Sequence, residues 1–141
     1  MLRYSLIHPE ILAALGGAGH GSRVLIADGN YPFGTGVHPV ATRVYLNLAP
    51  DLLKVTDVLA VLADAIPIEA AHVMLPDAGA EPQIFAEFRT LLPGVALENL
   101  GRFPFYDAAR GADTTLVIAT GERRVYANIL LTIGVVPPAA G

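Results

Sequence analysis

Apolar positions along the chain fall into two kinds of run. Short, nearly unbroken stretches of strand length occur at "RVLIA" (23–27), "AAHVML" (70–75), "TTLVIAT" (114–120) and "YANILLTIGVV" (126–136), with "TRVYLNL" (42–48) and "VALENL" (95–100) as two further strands. Between them the spacing becomes helical. "HPEILAALGGAG" sets Ile11, Leu12 and Leu15 on one face and stops at glycines; "DLLKVTDVLAVLADA" predicts a helix capped by Asp51, with Leu52, Leu53, Val58 and Leu62 among its apolar positions. "EPQIFAEFRTLL" has Pro82 near its first turn and turns Ile84, Phe85, Phe88 and Leu92 inward, and "FPFYDAARGA" is a short helix ending at Gly111. "GNYPFGTGVHP" after Asp28 has no period and reads as a loop of about ten residues, a length that in compact domains is often functional. Strands alternating with helices predict an α/β domain: a mostly parallel central sheet covered by helices on both faces.

The chain of 141 residues carries no internal repeat or linker, so residues 1–141 are read as one domain. Apolar residues make up 53% and charged residues 16%, against the roughly 25% charged that is usual; an oligomer, burying surface against further copies of the chain, would explain this and is expected. Runs such as "VLAVLADAIPI" (58–68) contain Asp and Pro and fall well short of the roughly 20 residues a membrane span needs. His, Pro and Glu interrupt the amino-terminal stretch that a signal peptide's apolar core would occupy, so an untargeted, cytoplasmic protein is expected, with no membrane partner. The formal net charge is −4 and the basic residues are scattered, which argues against nucleic acid as a partner. There is no cysteine, hence no disulfide, thiolate metal site or thiol nucleophile.

The glycine cluster "GGAGHGS" does not make a dinucleotide site, because Ser22 occupies the third glycine position and the order is helix, glycines, strand. His8, His20, His38 and His72 are widely spaced and predict no metal site; His72, inside an apolar strand, reads as a satisfied core residue and His8 as a helix-boundary residue. Only Ser5 and Ser22 are present, and neither lies in a nucleophile elbow. No cofactor is expected. What remains is "GHGSRVLIADGNYP" (19–32). His20 among glycines is either an exposed turn residue or a proton-handling group, and Asp28 stands at the carboxyl end of a predicted parallel strand, the edge where ligands of open α/β sheets bind. In "IATGERRVYANILL", Tyr126 and Asn128 alternate with Ala127, so as part of a strand both point to one face and offer a hydroxyl and an amide to a polyol; a polar hairpin edge is the plainer alternative.

These blocks together resemble the RbsD/FucU family of sugar mutarotases. The likeness runs over essentially the whole chain: GHG, a strand and then D-x-x-[YF]-P; "RFPFYDAA"; and [ST]-G-E followed by Y-[AG]-N, in matching order and separation. The resemblance implies an α/β fold of the family's own kind, assembled as a decamer of two stacked pentamers with sites between neighbouring subunits. It implies that His20 is the general acid/base, that Asp28 holds the sugar or the imidazole, and that Tyr126, Ala127 and Asn128 line the sugar site. Arg102 falls where fucose-type members carry an arginine and ribose-type members a histidine, which favours L-fucose, whereas "YAN" is the ribose-type form of a segment that is more often "YGN" in fucose-type members. Ser22 stands where an acidic residue is common.

Mutarotation opens a cyclic hemiacetal and closes it on the other face of the carbonyl. A group that takes the proton of the anomeric hydroxyl and a group that protonates the ring oxygen suffice, and histidine, with a pKa of about 6.5, serves either task. The five-residue strand between His20 and Asp28, at roughly 3.3 Å per residue, keeps the two apart. Either the chain folds back at Gly21 or one of the two comes from a neighbouring copy. Besides the fucose-type enzyme, the same residues admit a ribose-type enzyme, a sugar-binding or transport-accessory module without catalysis, and a purely structural ring.

Overall fold

The structure, a computed structural model, describes residues 1–140. Its frame is a six-stranded sheet of β1 (Arg23–Ala27), β2 (Thr42–Tyr45), β3 (Ile68–Met74), β4 (Leu97–Leu100), β5 (Thr114–Ala119) and β6 (Ile129–Ile133), in the order β2-β5-β1-β6-β3-β4. Alternation along β1 sorts the side chains into two cores. Val24 and Ile26 join one core, Leu25 and Ala27 the other. The first core is covered by α1 (Pro9–Gly17), α2 (Val55–Ala65) and α3 (Ile84–Leu91), which contribute Ile11, Val58, Leu59, Leu62, Ile84, Phe85 and Phe88. Each such side chain, fully buried, adds about 1.5–3 kcal/mol. The second core is thinner. It is closed by α4 (Arg102–Ala109), through Phe105 and Ala109, and by Tyr31 and Val37 of the long loop after β1.

Helices therefore lie on both faces, three against one. The pairs β1/β5, β2/β5 and β3/β4 are parallel, but β6 runs antiparallel to both β1 and β3, so the mostly parallel sheet has one reversed strand near its middle. The connection from Ala119 to Ile129 explains the reversal: a parallel crossover needs about a dozen residues or more, usually with a helix, and this loop instead crosses the end of β1 and returns beside it. β6 lies between β1 and β3 and is buried along its whole length, so the alternative of a polar hairpin edge does not hold for it.

Three local expectations also change. The second helix begins at Val55, where Lys54 is the cap residue and its N–H donates to the Asp57 carboxylate at 2.9 Å. Asp51 has φ +62 and Leu52 and Leu53 are exposed, because residues 49–52 form a loop laid against Gly121; a Cβ there would collide with the carbonyl of Ala49. The last strand starts at Ile129 rather than Tyr126. His72 is no satisfied core residue: its Nε2 lies 2.6 Å from Glu98 on β4, and its Nδ1 has no partner among the described residues. His8 does mark a helix boundary, its Nδ1 accepting the Ile11 N–H at 3.3 Å.

Candidate active site

One edge of the sheet gathers most of the polar residues singled out above. The carboxyl ends of β1, β3 and β4 lie there, together with the amino end of β6, since β6 is reversed. A cavity of about 200 Å³ opens at this edge, lined by Asp28, Asn30, Tyr31, Met74, Arg102, Tyr106, Val125, Tyr126 and Asn128.

Asp28 is its centre and is only 3% exposed. Its N–H donates to Asn128 Oδ1 at 2.8 Å, and Asn128 Nδ2 donates back to Asp28 Oδ2 at 3.1 Å, so the two side chains replace the backbone ladder that would continue β1 against β6. The Ala127 N–H donates to the same oxygen at 3.3 Å, and the Asn30 N–H donates to Oδ1 at 2.9 Å. Burial pushes the Asp28 carboxyl above its usual range, while the N–H groups of Asn30 and Ala127 and the Asn128 amide pull the other way. An ionised carboxylate has about four acceptor positions and three are taken, leaving one for a ligand; one Asn128 N–H is free in the same sense.

This capture of Ala127 and Asn128 is why the last strand begins late. The chain before it turns through Tyr126 with φ +58, a left-handed conformation that costs an aromatic residue about 1–3 kcal/mol and persists only where the surroundings enforce it. Tyr126 and Asn128 thus reach one cavity through a turn, not through strand alternation.

Arg102 opens α4 at the rim. Its Nε donates to Tyr106 Oη at 3.4 Å, and its guanidinium lies 5.5 Å from the Phe103 ring centre and 5.7 Å from that of Tyr106. Tyr31 is buried below; its hydroxyl donates to the Gly36 carbonyl at 2.6 Å, and burial raises its pKa far above the ordinary phenol. Tyr31 and Tyr106 meet edge to face at 5.4 Å, giving the cavity an aromatic wall beside the thioether of Met74. Asn30, Met74 and Val125 were not singled out in the sequence. The D-G-N turn at Asp28 was the available signal for Asn30, and the carboxyl end of a parallel strand the signal for Met74.

His20 is elsewhere. The chain does turn at Gly21, φ +84, but the turn leads into β1, and the Gly21 N–H donates to Ile133 at the far end of β6. There His20 Nε2 faces both carboxylate oxygens of Glu69, at 3.1 and 3.0 Å, with 59% of its side chain exposed. The structure brings Asp28, Arg102, Tyr126 and Asn128 to the cavity and the Ala127 N–H to Asp28; it leaves His20 at the opposite edge of the sheet.

The model of the RbsD / FucU transport protein family matches residues 1–136. The chain belongs to the RbsD/FucU family. Among its relatives is the fucose mutarotase of Danio rerio, 30% identical, with the likeness covering 95% of this chain and 92% of that protein. Bacillus subtilis RbsD, solved in complex with D-ribose, superposes with a TM-score of 0.82 at 28% identity, covering 96% of this chain and 99% of that one. The fucose mutarotase of Streptococcus pneumoniae, in complex with L-fucose, shares the fold at a TM-score of 0.83 and 24% identity, over 97% of this chain and 100% of the other. The mixed α/β domain seen here is thus the RbsD/FucU fold. No helix of the described residues is long and apolar enough to cross a membrane.

Proposed function

We propose that this protein is a monosaccharide mutarotase, an isomerase acting at the anomeric centre, with L-fucose or a close 6-deoxy relative as substrate and the Asp28 cavity as its sugar site. The observation that carries the reading is the buried Asp28–Asn128 pair, held by four hydrogen bonds and opening onto a cavity with one polar and one aromatic side. Such a site suits a ring with hydroxyls on one face and C–H groups on the other. Arg102 donates to vicinal hydroxyls, Asp28 accepts, and Tyr126 and Asn128 supply further polar contacts. Met74 and Val125 offer an apolar wall to a methyl group, and the Danio rerio relative is named for fucose.

Ring opening moves one proton off the anomeric hydroxyl and one onto the ring oxygen as the bond from that oxygen to the anomeric carbon breaks; closure on the other carbonyl face reverses both transfers. His20 performs this acid/base work from a second copy of the chain, with Glu69 orienting its imidazole. The exposure of His20 and its distance along β1 from Asp28 support a site shared between copies, as in an oligomeric ring. The test is saturation-exchange NMR of anomer interconversion for L-fucose and D-ribose in parallel. Acceleration over buffer, faster for fucose and lost in Asp28→Asn, is expected. No acceleration for either sugar overturns the reading.

A further inference from the structure

The segment "TGERR" carries a carboxylate that the sugar site does not use. Glu122 is 1% exposed and lies outside the cavity lining, yet its hydrogen bonds reach Gly29 beside Asp28, Thr120 after β5 and the 124–128 turn, as well as the start of α2. Its backbone carbonyl accepts the N–H of Gly29, next to Asp28, at 2.9 Å. Its own N–H donates to Thr120 Oγ1, which in turn donates to the carbonyl of Ala27 at 2.8 Å. Its carboxylate accepts from Arg124 three times, from Nε at 2.9 Å, Nη2 at 3.1 Å and the backbone N–H at 3.3 Å, and from the Val55 N–H at the start of α2 at 3.4 Å. Arg124 reaches on to Glu87 of α3 at 2.6 Å. The other charged groups nearby are the Arg123–Asp51 pair and Lys54 at the α2 cap.

We propose that Glu122 is a positioning residue for the sugar site: its carboxylate clamps Arg124 at the start of the 124–128 turn, and that clamp holds Tyr126 and the two donors that aim Asp28. The inference rests on the functional reading above and deepens it. The turn is anchored at its start by Glu122, which holds both the Arg124 N–H and the guanidinium while Glu87 takes only the outer Nη1, and at its end by Asp28 on Ala127 and Asn128, with the left-handed Tyr126 between them. A strained residue persists when the structure around it is over-determined. Releasing one end lets Tyr126 relax to an ordinary φ, which draws the Ala127 N–H and the Asn128 amide off the Asp28 carboxylate. A two-pronged guanidinium grip on a buried carboxylate is a directional anchor that a solvated ion pair is not.

Glu122→Gln is the test, because it keeps the shape and leaves Arg124 with Glu87; Glu87→Gln, which removes only the outer partner, is the control. Each is read in two ways, by 13C NMR titration of the Asp28 carboxyl and by fucose exchange at saturating sugar. The groups facing Asp28 that bear on its titration are Arg102, Tyr31, Tyr106 and Tyr126, and neither substitution removes any of them, although the release in Glu122→Gln moves Tyr126. In Glu122→Gln the Asp28 pKa rises by on the order of one unit, because hydrogen bonds to the ionised form are lost. Exchange falls about tenfold or more, as it does when reacting groups are displaced. In Glu87→Gln neither moves. Arg124→Lys, which keeps the charge and loses the fork, gives a smaller shift of the same sign and stands in should Glu122→Gln fail to fold. An unchanged Asp28 titration in Glu122→Gln, or an equal change in Glu87→Gln, overturns the inference. If the wild type does not accelerate exchange, the mutarotase reading fails, and the Asp28 titration still decides whether the clamp exists.

Discussion

The two ends of β1 are built in opposite ways. At its carboxyl end Asp28 is buried, bonded to three neighbouring residues and roofed by a loop that crosses the strand to start β6. At its amino end His20 stands in a glycine turn, exposed, tied among the described residues only to the half-exposed Glu69. A buried, hydrogen-bonded carboxylate is costly to arrange and therefore marks where geometry has to be exact, while an exposed ion pair contributes about 0–1 kcal/mol and leaves its histidine free to meet another molecule. The contrast teaches that, in the proposed site, one half is built rigidly within the chain while the proposed acid/base group faces outward from the other edge.

The largest effects fall on those two groups. His20→Asn is expected to lower the enzyme-dependent anomer exchange by about 10²–10⁴, the range of positioned acid/base catalysis, and Asp28→Asn to abolish it by removing the sugar's acceptor. Sugar-induced shifts in the cavity should survive His20→Asn and vanish with Asp28→Asn, which separates the two ends. With ionised Asp28 as acceptor, exchange falls as pH drops through its pKa; burial places that limb above the usual value of about 3.9. An acid limb at or below about 3.9 would contradict the upward shift that burial imposes.

A middle-sized effect is expected at Tyr126→Gly. Glycine accepts φ +58 without strain, so melting experiments should show a gain of about 1 kcal/mol while the sugar is held less tightly. A loss of stability would contradict the strain. At Glu122, burial raises the carboxyl's pKa, but the Arg124 guanidinium, the Arg124 N–H and the Val55 N–H outweigh it and hold the group below the ordinary carboxylate range. Because the folded-state pKa is depressed, the stabilisation is present above the unfolded value and lost as pH falls through the folded one. Glu122→Gln should thus be less stable than the wild type near neutrality, and the gap should close in acid. The smallest effect belongs to Glu69→Gln: stability within about 1 kcal/mol of wild type, with only a modest fall in exchange. A collapse of the fold there would mean that the amino-terminal edge is as organised as the other.

The sequence is legible where local pattern and burial agree. Val24, Leu25, Ile26 and Ala27 read as a strand and are one, and Ile84, Phe85 and Phe88 face the core as their spacing requires. The direction of β6 was not legible, since "ILLTI" buried on both faces looks the same parallel or antiparallel. Leu52 and Leu53 mimic the first turn of α2 because nothing in their own chemistry records that residues 49–52 must lie against Gly121. The cavity was half visible. Asp28, Tyr126 and Asn128 stand out as polar groups near strand ends and Arg102 through the family resemblance, but Tyr126 arrives through a left-handed turn that the tertiary contacts of Arg124, Ala127 and Asn128 hold. Glu122 reads as one charge in a solvated "GERR" turn until its burial and its grip on Arg124 are seen.

The central claim is that a working site joins Asp28 of one copy to His20 of another. The most direct measurement is fucose exchange by a co-assembled equal mixture of the His20→Asn and Asp28→Asn proteins, each inactive alone. Random mixing leaves both groups at about a quarter of the sites, so activity should return to about a quarter of the wild-type rate. A mixture that stays at the buffer rate although the subunits have exchanged would contradict the account.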